Sequence, residues 1–248
     1  MSLISIIMPY YKKKDYLKDS ISSILNQSYQ KFEIILIDDE VTEESIFFLK
    51  EISKLDKRIQ ILSNEKNLGV GKSRNRAIEI SNGEFIAFCD CDDLWKNTKL
   101  EKQIKHMKNY NLDFSYTSYE IIDENNIVKG IRKVEFEIDF NKLLNSCNIG
   151  LSTVLVSKNI FLNKEYRFAE IKTKEDYVLW LILAKDGVKM VALDEILSSW
   201  RKSKNSLSSS IFQKLLDGYR VYRIYLKYSR IKSLFCLIKL SINYILKQ

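Results

Sequence analysis

Apolar and polar positions alternate along the first ninety residues in two distinct rhythms. Ile4-Ser5-Ile6-Ile7-Met8 is a short β-branched run that stops at Pro9, as a strand buried on both faces would. Leu17, Ile21, Ile24 and Leu25 then recur at helical spacing behind Asp15, which can cap that helix. A second continuous apolar run over 32–37 ends at Asp38 and Asp39. Thr42 can cap the next helix, whose first turn carries Glu43 and Glu44 and whose apolar positions Ile46, Phe47, Leu49 and Ile52 lead into a strand over 59–62. A third helix over 70–81 stops at Asn82-Gly83, and a fourth buried strand over 84–89 ends at Asp90. Strands alternating with helices in this way predict an α/β fold, with an open, mostly parallel Rossmann-like sheet flanked by helices. Ligands of such a sheet bind at the carboxyl ends of its strands. Both acidic clusters, Asp38-Asp39 and Asp90-Cys91-Asp92-Asp93, fall at such ends.

After Trp95 the alternation is less regular. A helix is predicted over 99–108, strands over 114–122, 127–133 and 153–156, and a helix after Glu175-Asp176 that carries Tyr177, Leu179, Trp180, Leu181, Leu183 and Ala184. Two further strand-like pieces cover 188–193 and 196–201, and the chain is helical again beyond them. The expected organisation is one domain over 1–208, in halves 1–95 and 96–208, followed by a basic helical tail over 209–248.

Charge alters this picture at one point. From 211 to 248 there are eight Lys and Arg against one acid, Asp217, so nearly all of the net charge of +8 sits in the tail. Seven aromatics interleave with those cations: Phe212, Tyr219, Tyr222, Tyr225, Tyr228, Phe235 and Tyr244. The apolar stretch 233–246 is interrupted by Lys239 and Asn243 and is shorter than a membrane span. The expected partner of the tail is an anionic membrane surface, with the helix lying in the interface, rather than nucleic acid. The competing expectation is a helix pair packed on the catalytic domain. Four cysteines without a CxxC pair, and no secretory leader pattern before the first strand, predict a cytoplasmic protein, peripheral on the inner face of the membrane.

The sharpest chemical signal is Asp90-Cys91-Asp92-Asp93-Leu94-Trp95. Three carboxylates within four residues repel one another unless a cation or well-placed donors offset them, and hard oxygen ligands of this kind suit Mg²⁺ or Mn²⁺ bridging two phosphates. A solvated acidic turn capping the next helix is the plainer alternative. Asp38-Asp39 can accept from a base N–H or a ribose hydroxyl, or can simply cap a helix. Gly71-Lys72-Ser73 is not a phosphate-binding P-loop, because the glycine required five residues earlier is Lys66. The turn after the first strand has no glycine, which argues against a dinucleotide fold.

Together these segments resemble the family 2 glycosyltransferases over roughly residues 5–208. The opening Ser5-Ile6-Ile7-Met8-Pro9-Tyr10-Tyr11, the helix end Ser23-Ile24-Leu25-Asn26-Gln27, the strand into Asp38-Asp39, the run Asn67-Leu68-Gly69 to Arg74-Asn75, and an Asp-x-Asp motif at Asp90–Asp92 recur in family order. The resemblance implies a GT-A fold and an inverting, metal-dependent transfer of a hexosyl group from a nucleotide diphosphate sugar, with UDP the expected nucleotide. The acceptor implied is a hydroxyl of a glycan or lipid-linked sugar in bacterial surface polysaccharide or lipooligosaccharide synthesis. It assigns Pro9, Tyr11 and Asp39 to the nucleotide pocket, Arg74 toward the nucleotide, Asp90 to the ribose side and Asp92 to the metal, Mg²⁺ or Mn²⁺. Asp176 is implied as the base, with Glu175 and Trp180 on the acceptor side.

Departures from the family pattern are Lys12, where Asn is common, Glu40-Val41 after the Asp pair, and the late segment 200–208, which lacks the histidine it often supplies. The single histidine, His106, is expected on a helix surface. A non-catalytic module that binds nucleotide sugar or glycolipid is the alternative function.

Overall fold

Two seven-residue runs with no exposed position form the centre of the sheet. In the computed structural model, which describes residues 1–203 and 210–246 and side chains through 243, β1 (Ile4–Tyr10) and β2 (Phe32–Asp38) are buried throughout and pair in parallel. The 204–208 part of the late segment, the expected boundary at 208/209, Lys247 and the side chain of Tyr244 lie outside the described residues. β3 (Ile59–Ser63) extends the sheet beyond β2, and β4 (Phe85–Phe88) joins the other side of β1, both parallel. The intervening helices are α1 (Lys14–Leu25), α2 (Glu43–Ser53) and α3 (Val70–Ile80). Thr42 caps α2 as expected, in a reciprocal capping box with Ser45. Asp15 does not cap α1. The helix starts one residue before it, so its carboxylate lies in the first turn, where the helix dipole still favours it.

The second half brings β5 (Leu94–Trp95), α4 (Lys99–Asn109), β6 (Phe114–Ile122), β7 (Val128–Arg132), β8 (Glu137–Ile138) and α5 (Phe140–Asn145). A 3₁₀ turn (Leu151–Thr153) precedes β9 (Leu155–Ser157), so the strand expected over 153–156 starts two residues late. α6 (Glu175–Lys185) leads to β10 (Met190–Arg201), a single strand where two pieces were expected. Its register against β6 shifts between Leu193 and Ser198, which breaks the alternation that made it look divided. The sheet order is β3-β2-β1-β4-β9-β6-β10-β5, with β9 antiparallel between β4 and β6. The order reverses between β1 and β4, the switch point where open sheets of this kind bind ligands.

The chain end is part of the same core. α7 (Ile211–Arg220) runs through one π-helical turn (Val221–Tyr225) to α8 (Arg230–Leu246). Val221, Tyr222, Leu226, Cys236 and Leu240 are buried with Tyr177 and Trp180 in one apolar cluster. Tyr222 Oη bonds Tyr177 Oη at 3.1 Å, and buried Asp217 accepts from Thr173 N and Oγ1 at 3.1 Å each. The packed helix pair is therefore what this face of the tail forms. Tyr222 belongs to the core, not to an exposed aromatic set. The opposite face stays open: Ile231, Leu234, Phe235, Ile238 and Ile242 are exposed at helical spacing on α8, and Phe212, Leu215 and Leu216 on α7.

Candidate active site

Each acidic cluster is carried to the same edge by a strand that ends there. Asp38 turns inward and holds the turn into α2, accepting from Glu40 N and Val41 N at 3.1 Å each and from Ser45 Oγ at 2.9 Å. Asp39 faces the loop before α3. Its Oδ1 accepts from Asn64 Nδ2 and Leu68 N at 2.7 Å each, and its Oδ2 from Gly69 N at 3.1 Å. A carboxylate has about four acceptor positions, and these three bonds use most of them, so Asp39 first of all holds the 64–69 loop in shape. Pro9 is buried within β1 and Tyr11 just past it is 37% exposed, leaving one aromatic ring open at the strand end.

Arg74 is where the structure corrects the sequence most. A free cation aimed at the donor is not what α3 presents: the side chain is 2% exposed and is clamped between Asp90 (2.6 Å) and Glu175 (2.5 Å). Burial alone would lower the pKa of the guanidinium, but the two carboxylates outweigh it and raise it above its usual range. Gly71 makes this reach possible. A Cβ there would lie 2.4 Å from the carbonyl oxygen of Ala169, so only glycine lets the first turn of α3 approach the segment leading into α6. Arg74 thus couples the strand-end aspartate to the first turn of α6.

The acidic turn has internal partners that sequence spacing could not reveal. Lys13, just before α1, puts Nζ 2.8 Å from Asp92 Oδ2 and 2.8 Å from Ser203 Oγ. Asp93 is fully buried, accepting from Ser152 Oγ (2.5 Å) and Arg201 N (2.9 Å), while Arg201 Nε donates to the Asp92 carbonyl (2.8 Å). Burial and the neighbouring carboxylates push the Asp93 carboxyl well above the usual range. Burial likewise raises Asp92, against the pull of Lys13. The signal for Lys13 was present as unexplained charge: three acids in four residues require a cation, but nothing in the sequence says which one.

Among the described residues no group of three or more His, Cys, Asp or Glu side chains is arranged to hold a metal ion. The donor set still fits Mg²⁺ or Mn²⁺. A hard cation of this type is held by one or two carboxylates together with substrate phosphates and water. Asp92 is such a carboxylate, in a turn whose three acids are met by Lys13 and by an Arg74 already shared with Glu175. His106 is half-buried on α4, its ring tilted against Tyr110 with centroids 5.1 Å apart.

Asp176 opens α6 and lies on a cavity of about 280 Å³ together with Asp90, Tyr119, Arg132, Lys174 and Trp200. Burial raises its carboxyl above the usual range, with Arg74 and the Tyr177 N–H opposing. Lys174 before it is in the left-handed conformation, φ 66°, which turns the chain sharply into the helix. Glu175 points away from the cavity to Arg74, and burial raises its carboxyl while Arg74 pulls it down. Trp180 does not reach the acceptor side. It is fully buried, edge-to-face with Phe114 at 4.9 Å and Phe168 at 6.1 Å, one helical turn past the cavity. The aromatics on the cavity are Tyr119 of β6 and Trp200 of β10 instead.

The fold is that of solved GT-A glycosyltransferases. TarS of S. aureus, solved with UDP-GlcNAc, superposes over 96% of this chain and 71% of its own at a TM-score of 0.75 and 19% identity. The mannosyltransferase PcManGT of Pyrobaculum calidifontis, solved with GDP-Man and Mn²⁺, superposes at a TM-score of 0.68 and 12% identity, over 96% of this chain and 73% of its own. At the level of sequence, residues 5–167 match Glycosyl transferase family 2, and the chain belongs to that family. The UDP-Glc:alpha-D-GlcNAc-diphosphoundecaprenol beta-1,3-glucosyltransferase WfgD of Escherichia coli is 40% identical over 214 residues, 86% of this chain and 82% of its own. WfaP of Escherichia coli, named for the same reaction, is 32% identical over 250 residues, 100% of this chain and 96% of its own.

Proposed function

We propose that this glycosyltransferase moves glucose from UDP-glucose, with inversion, onto a hydroxyl of a lipid-diphosphate-linked N-acetylglucosamine during bacterial surface-glycan assembly. Two relatives bear names for that reaction. The observation that carries the reading is Asp176 and Asp90 on one cavity, joined through the buried pair of Glu175 and Arg74.

In this reading the nucleobase lies on Tyr11 beside the loop held by Asp39, and Pro9 fixes the strand end under it. Asp90, oriented by Arg74, faces the ribose side of the donor. Asp92 would hold a divalent cation, which when bound offsets the charge on the leaving diphosphate. Asp176 accepts the proton of the acceptor hydroxyl as that oxygen bonds to the anomeric carbon. The bond from that carbon to the diphosphate oxygen breaks, and its electron pair leaves with UDP. A single displacement converts an α-linked donor to a β-glycoside. Trp200 offers a flat apolar face for the acceptor sugar.

The test is turnover of UDP-glucose with a synthetic N-acetylglucosaminyl diphosphate lipid, with the product linkage read by NMR. A β-glucoside is expected. Retained configuration would exclude the single displacement, and transfer from other nucleotide sugars alone would exclude the donor. EDTA, or Asp92→Ala, is expected to lower turnover by on the order of a hundredfold; an unaffected rate would remove Asp92 from the metal.

The open face of α7 and α8 supports docking on the membrane that carries such an acceptor. Its apolar stripe is flanked by exposed Arg223, Lys227, Arg230, Lys232 and Lys239, and each cation near an anionic surface contributes about 1 kcal/mol. Among the described residues no helix is long and apolar enough to cross a membrane. Flotation with anionic liposomes is expected to show binding that weakens with salt and is lost in a Leu234→Ser, Phe235→Ser double variant. Because both side chains are more than half exposed, the variant's melting temperature should be unchanged. Binding that survives both changes would point to a different surface.

A further inference from the structure

We propose that Asp217 of α7, resting on the reading of Asp176 as the base, is a positioning residue for that base. The end of the chain then sets where the Asp176 carboxylate stands.

α6 begins without the device that usually fixes a helix start. Its N-cap position is Lys174, whose side chain makes no cap hydrogen bond and whose φ of 66° lies in the left-handed region that a residue with a Cβ disfavours. Such a turn persists only where its flanks are held. Here both flanks are anchored. On the helix side, Glu175 is bound to Arg74 at 2.5 Å. On the other side, Thr173 donates through both N and Oγ1 to Asp217 Oδ2, at 3.1 Å each. Asp176 follows directly, so the direction in which it leaves the turn depends on these two anchors.

Neither packing nor membrane docking calls for a carboxylate at position 217. From 211 to 248 Asp217 is the one acid among eight cations, yet it is fully buried. An apolar residue would serve a packed helix at least as well, and an acid opposes an anionic surface. Asp217 also accepts from Gln213 Nε2 at 2.8 Å and Arg220 Nη1 at 3.1 Å, both on its own helix. A buried carboxylate needs its acceptor positions filled, so Thr173 and Asp217 each lose a partner if the turn moves. The clamp is reciprocal. Next to it, Gly218 lets α7 come close: an added Cβ would lie 2.8 Å from Leu237 Cδ1 of α8 and 3.5 Å from Lys174 Cε. Further along the chain end, the 3.1 Å bond between Tyr222 Oη and Tyr177 Oη ties the first turn of α6 to the same element.

The experiment joins backbone hydrogen exchange on the nucleotide-free protein to single-turnover transfer at saturating UDP-glucose and acceptor. Asp217→Ala is expected to lose protection at residues 173–178 by at least about tenfold, with β1 and β2 unchanged. Its transfer rate should fall about ten- to hundredfold, the scale on which misplacing a catalytic group acts, while affinity for UDP stays at the wild-type value. Asp217→Asn keeps an acceptor oxygen for Thr173 and should restore most of the rate. Thr173→Val removes one of the two bonds at nearly constant shape and should fall between, and it decides by the same two readouts if Asp217→Ala does not fold. Leu226→Ala, buried in the same apolar cluster but not part of the clamp, should transfer near the wild-type rate. Asp217→Ala and Thr173→Val within about twofold of wild type would overturn the assignment. So would equal slowing in Leu226→Ala, the signature of general destabilisation, or a loss confined to UDP affinity. Wild type that transfers no glucose would overturn the proposed reaction instead, and exchange alone would then decide the clamp: unchanged protection at 173–178 in the variants would remove it.

Discussion

Asp176→Asn is expected to cut turnover by at least about a hundredfold while the affinity for UDP-glucose stays near wild type, since general-base catalysis contributes on that scale and the donor is held elsewhere. Asn has nearly the same shape and its side-chain oxygen can keep the Tyr177 N–H, now at 2.7 Å from Oδ1. It cannot accept the acceptor's proton. Burial raises the carboxyl of Asp176 and so makes it a stronger base than an exposed aspartate, while the nearby Arg74 limits the rise. Single-turnover rates, with UDP affinity by calorimetry, separate the two effects. A rate within a few-fold of wild type would move the base to another residue, and a parallel loss of UDP affinity would make Asp176 a donor ligand.

Arg74→Met should cost about 3–5 kcal/mol of stability, the usual consequence of removing one partner of a buried ion pair. The two carboxylates left behind are not equivalent. Asp90 is 36% exposed and can hydrate, whereas Glu175 is 11% exposed and cannot. Without Arg74, the burial that already raises Glu175 is opposed only by its own backbone N–H. A carboxyl whose pKa is raised on folding binds more protons folded than unfolded, so stability falls as pH rises through the window above the unfolded value of about 4.3. Urea denaturation of Arg74→Met should therefore show a larger deficit at pH 8 than at pH 5. Adding Glu175→Gln should recover part of the loss, because it removes the unpaired charge. A deficit independent of pH and unrelieved by Glu175→Gln would mean that packing against Phe168, whose ring lies 5.3 Å from the guanidinium, outweighs charge.

Much of residues 1–95 was legible because its signals are local. A run such as Phe32–Asp38 can only be buried on both faces, and a strand that ends in aspartates in an alternating α/β chain presents them at the ligand edge. The Thr42 cap of α2 and the extents of α3 and β6 followed from side chains within a few residues of each other. Asp15 failed as a cap and β10 was divided in two because helix starts and bulges depend on one hydrogen bond, which periodicity does not register.

The sequence by itself determined the layered α/β architecture, the strand-end positions of Asp39, Asp90 and Asp92, and a helix opening with Glu175 and Asp176. What only the tertiary structure decided is which charges meet. Arg74 reaches Glu175 across 101 positions, Lys13 reaches Ser203 across 190, and Arg201 closes on the acidic turn across 109. Such pairs leave no periodic trace, since a charged side chain reads the same in sequence whether it faces water or a buried partner. The same holds for Trp180 and the helical tail. An apolar side chain or an amphipathic face specifies that something must cover it, and the identity of the cover, here Phe114 and Phe168 for the tryptophan and α6 for Tyr222, exists only once the chain has folded.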